Sequence, residues 1–363
     1  MNASARESRV ELDKLLDKLS HPAVRDLAWV IGAPHLAAQA LQWLTSIEGG
    51  ELSDLTRASV DSSRGALETV MGDLASSPLS TALEEMSALL FALDQYPAPL
   101  LESLARQRAQ HTRVRLGVYV EHLAHYWLAE LVKCDPLLRE IQIYEPQERG
   151  VKTLGALDFV GSVPSVTSPE WVHLELASKF YLEHETLSED PLLTQLRGPN
   201  ERDSLHKKLS RLTEHQLPLS AHPRAQARLA ELGAPEIERR VMWLKGRLFL
   251  WAGRANIASS TSIPLRGLWV RRSQLSLLTP IFGETFVALE RPKPHWLAPP
   301  HLRELTLAPQ MTTESLAEAL TQVRGERGAS MWFCAACGDH QELKSSGRWV
   351  MVVPDDWGRR ALT

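Results

Sequence analysis

Disulfide chemistry has almost no material in this sequence. Cys134, Cys334 and Cys337 are the only cysteines among 363 residues, and so sparse and odd a set builds no disulfide framework and suits a reducing compartment. An excess of one charge is also lacking. Forty lysines and arginines face 44 aspartates and glutamates, giving a formal net charge of −4, which excludes a generally basic nucleic-acid coat but leaves room for a local basic groove. The opening MNASARESRVELDKLL has charges where a signal peptide needs an apolar stretch. The longest uncharged run, Leu27 to Ile47, holds Pro34, His35, Gln39 and Gln42, which hydrocarbon tolerates poorly, so it reads as two helices broken near Pro34. A soluble cytoplasmic protein with no membrane contact is expected. No glycine-rich phosphate loop, nucleophile elbow or internal repeat occurs.

Three regions follow from the patterning. Residues 1–105 read as a helical region, with Leu12, Leu15, Leu16 and Leu19 at helical spacing and further helices near 23–47, 53–75 and 81–93. Residues 106–255 read as an α/β core. Leu116, Val120, Leu123, Trp127 and Leu131 predict a helix over 111–133, REIQIYEP a strand over 139–146, Leu205, Leu209 and Leu212 a helix from near Asn200, and VMWLKGRLFLW a strand over 241–251. Residues 256–363 read as an α+β extension packed on that core, with apolar runs at 267–270, 285–290, 330–333 and 349–354 and a helix at 313–324. The pattern does not decide whether this extension continues the central sheet.

Two segments of the core, LGALDF at 154–159 and HLELASKFYL at 173–182, read as a β-hairpin that joins two carboxylates and a lysine. Pro164 and Pro169 bracket a turn centred between Val166 and Thr167, so positions summing to 333 lie opposite one another and Asp158 faces Glu175. Alternation puts Val172, Leu174, Leu176, Phe180 and Leu182 on a core face, leaving His173, Glu175 and Lys179 together on the other side. Two carboxylates with a lysine suit a hard divalent cation acting on a phosphate; a solvated cross-strand ion pair is the chemically idle alternative.

This element order, with an acid on the second strand and an acid plus a lysine on the third, resembles the PD-(D/E)XK nuclease superfamily, or restriction-endonuclease-like fold, over about 111–251. Longer stretches, among them HPAVRDLAW at 21–29, GPNERDSLHKKLSRLTEHQL at 198–217, HWLAPP at 295–300 and VVPDDW at 352–357, look like a bacterial family of unassigned function. The superfamily resemblance implies a core of helix, three strands, helix and strand. It also implies Mg²⁺, with Mn²⁺ as a substitute, held by Asp158 and Glu175, with Glu121 of the preceding helix as a further ligand. Catalysis by Asp158, Glu175 and Lys179 and hydrolysis of DNA or RNA phosphodiesters would follow. Two positions depart from the pattern: Leu157 stands where the motif has proline, and Ala177 where it has lysine, so Lys179 is a displaced equivalent about 7 Å further along the strand. The alternative from another class is a catalytically silent scaffold of the same fold that binds nucleic acid or a protein partner.

Around this hairpin, His173 is placed to orient Glu175 or contact substrate, and Lys207 or Lys208 to meet a phosphate. Arg113 and Arg115, with Arg106 and Arg108, form a candidate phosphate-contacting patch. Gln195 or Gln216 is placed to position a water or nucleic-acid backbone. Cys334 and Cys337, with His340, have half the spacing of a zinc knuckle, against inert thiols as the default.

Overall fold

A computed structural model describes residues 3–48, 61, 63–65, 67–68, 83–108, 115–164, 168–185, 192–234, 236–254, 267–324 and 328–359. The N-terminal region is helical as expected: α1 (Ala3–Lys18), α2 (Pro22–Gly32), α3 (Leu36–Glu48), α4 (Leu83–Gln95) and α5 (Ala98–Arg108). Pro34 separates α2 from α3, and most of the predicted 53–75 helix lies outside the described residues. Among the described residues no helix is long and apolar enough to cross a membrane.

The helix expected over 111–133 is α6 (Leu116–Tyr126), which continues through a π-helical turn at Trp127–Leu131. Then come β1 (Leu137–Pro146), β2 (Val151–Val163), β3 (Glu170–Glu183) and the short β4 (Leu196–Arg197). The helix expected from Asn200 begins later, as α7 (Leu205–Arg211), because Ser204 is its N-cap and its Oγ accepts the Lys207 N–H at 3.3 Å. It passes through a second π turn (Leu212–Gln216) to Leu219, and α8 (Pro223–Glu231) leads into β5 (Arg239–Trp251).

β1, β2 and β3 are antiparallel neighbours, and β5 adds parallel to β3. The C-terminal region continues this sheet. β6 (Gly267–Arg271), β7 (Phe286–Glu290), β8 (Gln310–Met311), β9 (Ser330–Ala336) and β10 (Arg348–Val353) complete ten strands in the order β1-β2-β3-β5-β6-β10-β9-β7-β8, with β4 on β3. The helix expected at 313–324 is α9 (Thr313–Arg324).

Both faces of the sheet are covered, which corrects the expectation of a single core face. Val172, Leu174, Leu176, Phe180 and Leu182 pack with α2, α4 and α6, and Trp127 of the first π turn stacks on Trp243 of β5 at 4.4 Å. On the other face Tyr181, Met242, Leu244 and Leu248 pack against α3 and α7. Burial on two faces explains the two apolar runs of β5, Val241–Leu244 and Leu248–Trp251.

β6 pairs with β5 only from Phe249 onward, so the earlier part of that β5 edge needs other partners. Residues at the head of α3 supply them: His35 Nε2 accepts the Leu244 N–H at 2.8 Å, Gln39 Oε1 accepts the Leu248 N–H at 3.1 Å, and Gln39 Nε2 donates to the Gly246 carbonyl at 3.0 Å. Gly246 itself has φ +148° in register with Lys179, and a Cβ there would stand 1.6 Å from the Lys179 carbonyl oxygen. Gly246→Ala is therefore expected to cost roughly 2–4 kcal/mol of stability. Equilibrium urea unfolding measures this, and a loss within experimental error would show that β3 and β5 do not need so close an approach.

Candidate active site

The hairpin register is the one expected from the two prolines. Val163 pairs with Glu170, Ser162 with Trp171, Gly161 with Val172, Val160 with His173 and Phe159 with Leu174, while the turn centre itself lies outside the described residues. The ladder stops there, one step short of the two acids. β2 goes on with β1, and β3 keeps β5 on one edge, so among the described residues its other edge has no strand partner from Glu175 until β4 meets Leu182.

Side chains replace the missing ladder bonds. Asp158 Oδ2 accepts the Leu176 N–H at 2.9 Å, and Glu175 Oε1 lies 3.4 Å from the Asp158 N–H. Each carboxylate thus answers a backbone donor that the parting strands would otherwise orphan.

Glu175 and His173, expected on an open side, are both 0% exposed, because the helical segment 205–219 and Ser220 roof them. Glu175 Oε1 is 2.9 Å from His173 Nε2, and Oε2 accepts Gln216 Nε2 at 2.6 Å. Lys208 Nζ donates to Gln216 Oε1 at 3.1 Å; an ammonium can only donate, so the amide must turn its NH₂ toward Glu175. The π turn makes this reach possible. Its extra residue brings Gln216, eight positions after Lys208, close to two full helical turns away on the same side. Behind His173, Nδ1 is 3.1 Å from Ser220 Oγ, which accepts Arg240 Nε at 2.8 Å.

The electrostatics follow from this packing. Burial, then the neighbouring Glu175 charge, push the Asp158 carboxyl up to about 7; Glu121 adds to the rise, while the Leu176 N–H and Lys208 oppose it. Burial and then the charge of Lys179 lower the Lys208 ammonium, against the pull of Asp158 and Glu175. Lys208 is therefore the cation that senses both acids.

The other expected residues are dispersed. Lys179 does not reach back to the acids: its ammonium is 2.6 Å from Asp203 Oδ2, which also accepts the Tyr181 hydroxyl at 3.4 Å. Glu121 is near enough to act on Asp158 electrostatically, but among the described residues no three His, Cys, Asp or Glu side chains gather as a metal-holding group. Lys207 faces solvent, Arg115 is exposed at the N-cap of α6, and Arg113 lies outside the described residues. Cys134, Cys334 and Cys337 are free thiols, the first two buried. Ser220 and Arg240 were not foreseen. The one sequence signal for Arg240 was its place beside His173 once β5 is laid parallel to β3.

The fold and this site define a mixed α+β protein whose sheet, ten-stranded among the described residues, holds a fully buried Glu175 beside a part-buried Asp158 where two strands part. Residues 25–353 match the family described as a domain of unknown function (DUF1853), and the chain belongs to that family. No curated protein and no solved structure gives a match.

The Asp158 shift has a sign that can be checked. The folded protein keeps this proton to about pH 7, whereas the unfolded carboxyl releases it near 3.8, so folded stability falls as pH rises between those values. In metal-free buffer, Asp158→Asn, which keeps an oxygen for the Leu176 N–H, is expected to melt higher than wild type at pH 8 and to lose less Tm between pH 5 and pH 8. Parallel melting curves for the two proteins across that range would remove Asp158 as the source.

Proposed function

We propose that this protein hydrolyses phosphodiester bonds of nucleic acid with the help of a divalent metal ion. One observation carries the reading: two carboxylates from adjacent strands are held side by side at the point where the strands part, against their mutual repulsion. Such a pair is stabilised by a cation. The element order, with α6, three antiparallel strands, α7 and then β5 parallel to β3, is the order that the nuclease resemblance implies. The family description assigns no activity, so the reading rests on these residues.

The donor set suits Mg²⁺ or Mn²⁺. Mg²⁺ is commonly held by one or two carboxylates, with waters and substrate phosphate completing its shell, so a third protein ligand is not required. Asp158 Oδ1 has no protein partner among the described residues, and Glu175 Oε2 meets only Gln216, which leaves oxygen lone pairs on both acids. When bound, the ion supplies Lewis-acid activation of water and neutralises phosphate charge. His173 and Gln216 fix the Glu175 carboxylate, so it does not reorganise when charge develops. Lys208, rather than Lys179, is the cation placed to stabilise that charge.

A second reading, the catalytically silent scaffold, draws on the lack of a three-ligand cluster among the described residues. Cleavage assays separate the two. Purified protein is expected to cut single- or double-stranded DNA, or RNA, in Mg²⁺ or Mn²⁺. Asp158→Ala and Glu175→Ala should fall to background, and Lys208→Met should lose about 10²–10³-fold. Wild-type protein inert toward the whole panel in both metals refutes the hydrolytic reading.

A further inference from the structure

Further along β3 from the acids lies a cleft of about 1100 Å³ that the proposed chemistry leaves unused. Its walls are the free edge of β3 at 178–181, the first turn of α6, the 198–203 loop, and Lys293 with Trp296. The cleft exists for the same reason as the acid pair: once β2 has left, no strand among the described residues covers β3 until β4.

We infer that this cleft seats the phosphate backbone of one nucleic-acid strand, gripped by Arg115, Lys179 and Lys293, and that it does not read bases. The inference deepens the proposed function and rests on it for the identity of the ligand. Three cations line the cleft against one carboxylate, Asp203. Asp203 engages one of the three N–H donors of Lys179, which leaves two for a phosphate. Arg115 and Lys293 are exposed, with the Lys293 ammonium 4.6 Å from the centre of the Trp296 ring.

The aromatic residues decide what part of the strand is held. Phe180, Tyr181 and Trp296 line the cleft but are 7%, 0% and 3% exposed, so none offers a face on which a base can stack. Charge without stacking selects the backbone, and contacts of that kind position a strand without specifying its sequence. The cleft is also close to the acids. Burial first, and then the charge of Lys179, lower the Lys208 ammonium, so the two lysines lie within electrostatic reach of each other. Lys179 is four residues beyond Glu175, or about 13 Å along the strand. A strand lying along this edge would thus run toward Asp158, the less buried of the two acids.

The test is binding without turnover. Fluorescein-labelled dT12 is titrated in EDTA, by anisotropy, with full-length wild type, Arg115→Gln, Lys179→Gln and Lys293→Gln, with thermal melts confirming that each variant is folded. Each variant is expected to bind about 3- to 10-fold more weakly at 100 mM salt, and to flatten the slope of log affinity against log salt by ~0.7 for each lost phosphate contact. A merely structural lysine would not change that slope. Lys293→Glu, on an exposed side chain, should weaken binding further than Lys293→Gln. Unchanged affinity and slope in all variants overturn the inference. So does complete competition by thymidine monophosphate at equal phosphate concentration, because a seat for one phosphate is not a strand groove. Weakened binding by the variants alongside a wild type inert in Mg²⁺ and Mn²⁺ would leave the cleft standing and remove the hydrolysis. Cleavage with unaltered binding would remove the cleft alone.

Discussion

The parting of β2 from β3 after Phe159 and Leu174 is the constraint on which the rest of this site depends. Separating two strands inside a sheet orphans backbone N–H groups, and a buried orphan costs about 1–3 kcal/mol. Acceptors must therefore stand at the fork. Asp158 and Glu175 are those acceptors, so the fold itself has a use for carboxylates there, apart from any chemistry. The same fork exposes the β3 edge that lines the cleft. On the far side of β3, Gly246 lets β5 come close enough to hold the strand without its lost partner.

Carrying Glu175 at full burial demands compensation, since an ion taken out of water costs several kcal/mol even after relaxation. A chain of polar groups ending in cations supplies it. Lys208 fixes the Gln216 amide at one end, and Arg240 makes Ser220 an acceptor at the other. Ser220 Oγ donates to the Leu217 carbonyl at 3.3 Å and lies 3.1 Å from His173 Nδ1, while His173 Nε2 lies 2.9 Å from Glu175, so the imidazole links the carboxylate to an anchored hydroxyl. Removing a middle member would break both halves, as expected for a connected buried network.

Much of this was legible in the sequence, and the illegible parts share a cause. The hairpin register followed from Pro164 and Pro169 because strand alternation is strict and the link is short; the helix at 313–324 and the break at Pro34 were equally local. The end of the ladder was not legible, because it depends on how β1 draws β2 aside. Lys179 was assigned by strand parity, which gives its face correctly, but its partner Asp203 comes from a loop whose path no local pattern sets. The π turn that delivers Gln216 leaves no signature in LTEHQ. One clue to the second covered face was present: Trp171, Ala177 and Tyr181 share the parity of His173 and Glu175, more apolar bulk than a solvated face carries.

The two acids, though adjacent, are built unequally. Glu175 meets polar partners at both oxygens from side chains that are themselves anchored, so its position is fixed by the fold. Asp158 has one firm backbone donor on Oδ2, no partner on Oδ1 among the described residues and a raised pKa caused by burial and by Glu175. On the proposed reading, a cation would gain most from the group that lacks compensation, with Asp158 as the group it binds and Glu175 as the template that aims it. Environments that separate two neighbouring carboxyls are a common way to divide labour between them. Here the division follows from the direction in which the strands part: β3 stays under the roof of residues 205–219, while β2 turns out toward β1 and takes Asp158 to the rim.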